Sequence, residues 1–347
     1  MSTTEQIMVK ALKTNLVHKK GEKVVIVTQE FDSKFENNLK PQFDRALELC
    51  KKLNETYQNQ GINSTLITFT PKDAGSGINP TKELYNKFEE FEKNSGIPEI
   101  VIAPSAYSLT HTAWRKQQCE KGSRIATMSN SSLAMFQPGG PFDIEEDYNK
   151  ILEETKEKAE KLRNSKYVKI TGPNTELVIN VDQNLVIEST GILSKPGTYG
   201  NWLGAEAFAV PIHLGDSYGY FLTPKNWGGA KQLKYSAIFH IKDGKFTDIK
   251  SADNSKEAQS WLDENIKPMI FNKPNNDVVA ELGLGTNPFV RDDYLMKNWS
   301  LAVAEKKGNT VHIAHGNSKC MGGQNDVEIH QDFVILNVDK IEFNYRP

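Results

Sequence analysis

The feature of this sequence that most restricts its fold is a change of pattern near residue 165. Before that point, short apolar runs typical of buried strands alternate with longer stretches whose apolar residues recur at helical spacing. The strand-like runs are residues 22–28, 64–69, 99–103 and 124–128, and the helical stretches are residues 5–18, 40–58, 81–94 and 109–119. This alternation is typical of a parallel sheet with crossover helices, and it predicts an N-terminal α/β domain over residues 1–165.

After a charged helix predicted over residues 145–164, the pattern becomes one of short strands separated by turns. In the run YSAIFHIKDGKFTDIK, Asp243 and Gly244 suit the two-residue turn of a β-hairpin. One further helix is predicted at about residues 256–267. The 347 residues exceed what one hydrophobic core usually supports. We therefore predict an α/β protein of two domains, the second being mixed and β-rich over residues 166–347.

Composition restricts the partners and the location of the chain. The formal net charge is −2 and the basic residues are spread along the sequence, so neither nucleic acid nor an anionic membrane surface is expected as a partner. The sequence shows neither the pattern of a signal peptide nor an apolar run of roughly 18 residues. Cys50, Cys119 and Cys320 are scattered, which predicts a reducing, cytoplasmic location.

The histidines of the C-terminal half are the first candidates for chemistry. His330 and Asp332 stand two residues apart in a run that is typical of a strand, so both side chains are expected on one face. Such triplets are common, and the pair alone is a weak indication of a metal site. His312 lies in another strand-like run, TVHIAHG, where a core histidine bonded to backbone is the alternative. His315 comes just before a glycine turn, a position that predicts exposure to solvent.

Isolated carboxylates strengthen the interpretation of a metal site. Glu206 in GAEAFAVP and Glu281 in VVAELGLG are each the only charge in an apolar stretch. A buried carboxylate is costly unless it is protonated, ion-paired or bound to a metal. For either one alone, an arginine partner or an exposed strand edge explains the pattern equally well. Together with the histidines they favour convergence on cations, and Glu305, which alone looks like surface charge, is a further candidate.

A charge count predicts the number of ions. Four carboxylates with neutral histidines are balanced by two divalent ions but not by one. The donors are nitrogen and oxygen only, which suits Zn²⁺, Co²⁺, Mn²⁺ or Fe²⁺ and excludes a structural site built of cysteines. Two such ions about 3.5–4 Å apart share a water and polarise a carbonyl oxygen.

Four stretches, taken in order, resemble the aminopeptidase T and aminopeptidase S family of dinuclear metallopeptidases, and most closely its shorter archaeal-type relatives, the leucyl aminopeptidases. They are NWLGAEAF, ELGLGTNP, AEKKGNTVHIAHG and GGQNDVEIHQD. The resemblance implies an N-terminal α/β domain, a C-terminal metal-binding catalytic domain and a homodimer. The metal ligands that it implies are Glu206, Glu281, Glu305, His312, His330 and Asp332.

The resemblance also implies roles and one departure. Glu281 matches the glutamate that bridges the metals and acts as general base, and Glu305 matches only if two extra loop residues are allowed. The family's larger members carry a catalytic tyrosine after the histidine strand, where this chain reads GNSKCMGG. His315 or Tyr199 is the candidate replacement.

The expected function is therefore that of a metal-dependent aminopeptidase acting on small peptides. The amine of the substrate would bind a metal or a carboxylate such as Asp216 or Glu206. One alternative is a mononuclear Fe(II) ring-cleaving dioxygenase related to the dihydroxypyridine dioxygenases, which resemble a distant branch of the same fold. Another is a non-catalytic metal-binding relative. The loops KPGTYGNW and KNWGGAK are candidates for the rim of the binding site, with simple surface loops as the equal alternative.

Overall fold

A computed structural model describes residues 3–110, 112–144, 148–227 and 233–347. Contacts divide the chain into two compact units, each drawn from three stretches of sequence. Unit 1 consists of Met1–Glu146, Gly191–Gly204 and Arg291–Ala302, and unit 2 of Asp147–Thr190, Ala205–Val290 and Val303–Pro347. The predicted domain boundary near residue 165 stays a prediction.

The strands of the described residues are numbered in chain order. They are β1 (Val24–Gln29), β2 (Ser64–Phe69), β3 (Ile100–Ser105), β4 (Arg124–Ser129), β5 (Tyr167–Gly172), β6 (Thr175–Ser189), β7 (Tyr199–Asn201), β8 (Glu206–Pro211), β9 (Tyr218–Thr223), β10 (Ala237–Lys242), β11 (Lys245–Ser251), β12 (Val279–Gly285), β13 (Val311–Gly316), β14 (His330–Ile335) and β15 (Lys340–Phe343).

The α-helices are numbered in the same way. They are α1 (Thr4–Asn15), α2 (Lys40–Asn59), α3 (Lys82–Ser95), α4 (Ala113–Glu120), α5 (Asn149–Arg163), α6 (Lys256–Asn265), α7 (Lys267–Phe271), α8 (Asp292–Lys297) and α9 (Leu301–Ala304). Short 3-10 turns occupy Asn37–Leu39, Leu133–Phe136 and Lys319–Met321. Among the described residues, no helix combines the length and the apolar character that crossing a membrane requires.

Unit 1 contains a parallel sheet in the order β2-β1-β3-β4-β7. Every residue of β1 and β3 is buried, as expected for strands whose two faces are both covered by helices. Helix α1 begins at a capping box, in which the Thr3 side chain accepts from the Gln6 backbone and the Gln6 side chain accepts in return. The predicted N-terminal α/β fold is confirmed.

Unit 2 contains an antiparallel sheet in the order β11-β10-β9-β6-β8-β12-β13-β14, with β5 and β15 continuing from β6. The predicted hairpin is present, since β10 and β11 are joined by Asp243 and Gly244, both with positive φ. Helix α5 packs on one face of this sheet, where Ala159 and Leu162 contribute to the main core. The predicted β-rich character is confirmed. The predicted start of α5 at residues 145–147, residue 111 of the predicted helical stretch 109–119, and most of KNWGGAK lie outside the described residues.

Candidate metal centre

The centre is built on one face of four neighbouring strands of unit 2. The register pairs Glu281 with Ala314 and Ala314 with Asp332, so these three residues form one row across β12, β13 and β14. A second row pairs Gly283 with His312, and a third pairs Gly285 with Glu206. Paired residues of antiparallel strands share a face, so the charged side chains all project to the same side.

Small residues between the charged ones create the space for them. A Cβ at Gly283 would lie 1.9 Å from Nε2 of His312, so the imidazole occupies the volume of the missing side chain. Ala314, between Glu281 and Asp332, contributes only a methyl group. A register irregularity between Val279 and Glu281 further re-aims the glutamate, as bulges near functional sites commonly do.

Two groups of potential ligands result, and they share one residue. The first group is Glu206, Glu281 and His312, and the second group is Glu281, His330 and Asp332. Within each group the ligand atoms lie within 4.8 Å of one another. These five of the six predicted ligands therefore come together, and their role as ligands stays a prediction.

Glu281 faces each histidine with a different oxygen. Its Oε1 lies 3.2 Å from Nε2 of His312, and its Oε2 lies 3.3 Å from Nε2 of His330. Glu206 Oε2 lies 3.5 Å from the same nitrogen of His312. Asp332 Oδ1 lies 3.7 Å from Nε2 of His330. A carboxylate that presents one oxygen to each of two donor groups has the arrangement of a bridging ligand.

The ring of His330 is oriented as that of a metal-binding histidine is. The Nδ1 of His330 lies 2.7 Å from the carbonyl oxygen of Asn317, to which an Nδ1–H donates, so Nε2 faces the carboxylates. His312 is buried, and within the described residues its Nδ1 has no hydrogen-bond partner. The donor set, nitrogen and oxygen at the end of short side chains, fits a divalent transition metal.

The pKa values show how strongly this face favours positive charge. Burial acts to lower the pKa of His312, but the hydrogen bond and charge of Glu281 outweigh it and raise the pKa to about 9. The pKa of His330 is raised well above its usual value against the same effect of burial, chiefly by the charge of Asp332. Burial acts to raise the pKa of Glu281, yet the hydrogen bonds of both histidines hold it well below its usual range. A divalent cation would displace these protons and take over their charge.

The sequence-based interpretation missed Lys306. This lysine is 2% exposed, and its Nζ lies 2.5 Å from Glu206 Oε2 and 3.1 Å from Glu305 Oε2. In the sequence, EKK looks like a solvated charge run, so nothing local marked the middle residue as buried. The partner of Glu206 is thus a lysine, where the sequence left an arginine or a metal open.

Glu305 is placed differently from the other predicted ligands. It belongs to neither group of ligands, and its described contact with the centre is the ion pair with Lys306. Burial raises the pKa of Glu305 to about 8, and the charge of Asp332 adds to the effect. The ammonium of Lys306 offsets part of the negative charge of the carboxylates, so the charge count made from the sequence no longer fixes two ions.

His315 and Tyr199, considered as replacements for the family's tyrosine, belong to neither group of potential ligands. His315 was expected to face solvent, and that expectation is wrong, because the residue is fully buried on the opposite face of β13. Its ring stacks on Phe333, and its Nδ1 lies 2.6 Å from the carbonyl oxygen of Asn276. Tyr199 belongs to unit 1, where the guanidinium of Arg115 lies 3.5 Å from the centre of its ring.

Asp216 was suggested as a site for the substrate's amine. It accepts hydrogen bonds from the hydroxyl of Tyr167 at 2.6 Å and from the side chain of Asn180. The hydrogen bond from Tyr167 also lowers the pKa of its carboxyl group. Neither partner belongs to the two ligand groups, so a role for Asp216 stays a prediction.

Comparison with known proteins places the fold. No family model matches the sequence, and no curated protein matches it. Among solved structures, the chain is similar to a 2,5-dihydroxypyridine dioxygenase from Pseudomonas putida KT2440, with a TM-score of 0.70 and 13% identity over 99% of this chain and 95% of that chain. It is also similar to AmpT from Thermus thermophilus, with a TM-score of 0.59 and 14% identity over 97% and 93% of the two chains. At these identities the likeness shows that the chain shares the fold of both proteins.

Proposed function

We propose that the protein is a metal-dependent hydrolase of the aminopeptidase class. The observation that supports this best is Glu281, which presents one oxygen to each of two potential ligand groups. A carboxylate in that arrangement suits the dinuclear sites of aminopeptidases. The shared fold of AmpT, an aminopeptidase T, agrees with the proposal.

The five converging side chains would hold the ions. His312 with Glu206 would bind one, His330 with Asp332 the other, and Glu281 both. Zn²⁺, Co²⁺ and Mn²⁺ suit these nitrogen and oxygen donors. When bound, such ions lower the pKa of a water molecule and stabilise negative charge on a carbonyl oxygen.

The chain's own residues supply the proton transfer and the recognition of the substrate. Glu281 is the proposed proton acceptor for the attacking water, since its two oxygens face the centre. The terminal ammonium of the substrate requires a carboxylate partner. Glu206 and Asp216 are the proposed partners of that ammonium.

The test uses aminoacyl-arylamide substrates with protein loaded with Zn²⁺, Co²⁺ or Mn²⁺. We expect release of arylamine from substrates with a free amine and none from their N-acetylated counterparts, which lack the ammonium. Release from both at equal rates would exclude an aminopeptidase. Absence of release with every metal would exclude the hydrolase.

A second candidate function is supported by a separate observation. The second group alone, Glu281, His330 and Asp332, offers nitrogen and oxygen donors that could hold a single ion, as a mononuclear non-haem Fe(II) site does. The similarity to a dihydroxypyridine dioxygenase points the same way. Oxygen consumption by anaerobically loaded Fe(II) protein on addition of 2,5-dihydroxypyridine tests this candidate. One iron per chain would favour the dioxygenase, and two divalent ions per chain would favour the hydrolase.

We also propose that the protein is a cytoplasmic homodimer that acts on small peptides. The dimer follows from the resemblance to the aminopeptidase family. Light scattering coupled to size-exclusion chromatography measures it directly, with a mass of twice 39.0 kDa expected.

A further inference from the structure

Lys306 contacts one of the two ligand groups and not the other. Its Nζ lies 2.5 Å from Glu206 Oε2, and the same oxygen lies 3.5 Å from Nε2 of His312. The ammonium and an ion held by the first group would therefore share a ligand atom. Within the described residues, no ion pair joins Lys306 to Asp332 of the second group.

The backbone around Lys306 fixes the lysine in this place. Its carbonyl oxygen accepts from the backbone N–H of Asn287, and its own N–H donates to the carbonyl of Val303. Strand β12 also packs closely against this segment, because a Cβ at Gly285 would lie 2.1 Å from the carbonyl oxygen of Lys307. A lysine on a segment packed this tightly, with its side chain 2% exposed, has no path to solvent without a larger rearrangement.

We propose that Lys306 acts as a built-in cation that makes the two metal positions unequal. The second group, which includes the half-buried His330 and Asp332, binds one divalent ion tightly. The first group binds a second ion weakly, because that ion meets the ammonium of Lys306 at Glu206. The inference rests on the proposed metal site, and it adds the order of loading and the residue that sets it.

Like charges at such short separations in a buried site repel strongly, while the carboxylates hold the ammonium in place. A divalent ion at the first group must displace the ammonium from Glu206 or share the oxygen with it. Glu305 offers the displaced ammonium an alternative partner at 3.1 Å. Lys306 is therefore a positioning residue that lowers the affinity of the first group for a divalent ion, whereas a ligand would raise that affinity.

The experiment is a titration of metal-free full-length protein with Co²⁺. Calorimetry and the visible spectrum of the bound ion monitor the binding. We expect one tight and one weak event per chain in the wild type. In Lys306→Met the weak event should tighten on the order of 100-fold. Lys306→Arg, which keeps the charge, should retain the unequal pair, and Lys307→Met serves as the neighbouring control with the same loss of charge.

The direction of the change separates this role from a merely structural one. If Lys306 only supported the fold, Lys306→Met would weaken both events, and that result would overturn the inference. Two equal tight events in the wild type would overturn it as well, whether or not the variant folds. No binding of Co²⁺, Zn²⁺, Mn²⁺ or Fe²⁺ to the wild type would overturn the proposed function together with the inference.

Discussion

Two histidines of strand β13 lie on opposite faces of the sheet and meet opposite surroundings. His312 faces the carboxylate of Glu281, whereas His315 lies between the rings of Phe246 and Phe333. Both are buried, and they share one strand and one residue type. The alternation of side chains along the strand alone separates them.

The two faces shift the pKa values in opposite directions. Glu281 raises the pKa of His312 to about 9 although burial acts to lower it. Burial lowers the pKa of His315 to about 4, and the hydrogen bond to the carbonyl of Asn276 offsets this only in part. A histidine in a strand is therefore a candidate metal ligand when carboxylates lie on the same face of the sheet. Four predictions test the difference between the charged face of His312 and the apolar face of His315.

The largest effect is expected from removing the carboxylate that both histidines share. Glu281→Gln should leave the fold intact and lower kcat by about 100-fold or more, because an amide accepts the water's proton poorly. Bound metal should fall as well, measured by elemental analysis after dialysis. Glu176→Gln, on the exposed side of β6, is the matched control and should behave as wild type. Retention of more than about a tenth of wild-type kcat in Glu281→Gln would contradict the proposed role.

Metal removal should affect only the charged face. Chelation by EDTA or phenanthroline should abolish activity, and Zn²⁺, Co²⁺ or Mn²⁺ should restore it. Thermal unfolding should report the same ion, since a ligand at about 100 times its Kd stabilises the folded state by about 2.7 kcal/mol. In Glu281→Gln, added metal should raise the melting temperature far less. Full activity in protein shown to be free of metal would contradict the metalloenzyme itself.

The third prediction concerns the space that His312 occupies. Gly283→Ala should displace the imidazole, because the new Cβ would lie 1.9 Å from Nε2, and should weaken metal binding by about 10- to 100-fold. Ala314→Gly on the same face is the control, since it removes a methyl group and creates no clash. Calorimetric titration measures both variants. Wild-type affinity in Gly283→Ala would show that the ring position is not needed.

The smallest effect is expected on the apolar face. The folded state holds His315 neutral down to about pH 4, whereas the unfolded chain binds a proton near pH 6.5, so its contribution to stability is complete above that pH and is lost on acidification. Between about pH 6.5 and pH 4 the free energy of unfolding of the wild type should fall by up to about 1.4 kcal/mol per pH unit because of His315. His315→Gln should lack this part of the decrease and should bind metal with unchanged affinity. His330, Asp332 and Asp277 act on this ring and remain in both proteins. Identical denaturation curves of variant and wild type across pH 4–6.5 would contradict the prediction.

Much of the fold could be predicted from the sequence because its patterns are local. The alternation of buried runs with amphipathic stretches predicts the parallel sheet, and the Asp-Gly pair predicts the β10–β11 turn. The convergence of Glu206, Glu281 and His312 could be predicted because isolated charge in an apolar run requires compensation.

The remainder depends on contacts distant in sequence. Lys306 is buried because its loop packs against the end of β12, and no feature of EKK indicates that approach. His315 is buried by Phe246 of β11 and Phe333 of β14, which lie 69 and 18 residues away (315 − 246 and 333 − 315). The alternation of side chains along β13 predicts that His315 faces the side opposite His312, and the sequence-based expectation of solvent exposure did not use it.

The glycine opposite His312 has a consequence for how this protein tolerates mutation. Gly283 carries no functional group, yet almost any side chain there meets the imidazole. In a saturation library selected for function, this position should therefore be as intolerant as the ligands themselves. Its neighbours Leu282 and Leu284 face the core and should accept other apolar residues of similar volume. Such a pattern, one invariant glycine between two exchangeable hydrophobic residues, would mark the place where the strand leaves room for chemistry.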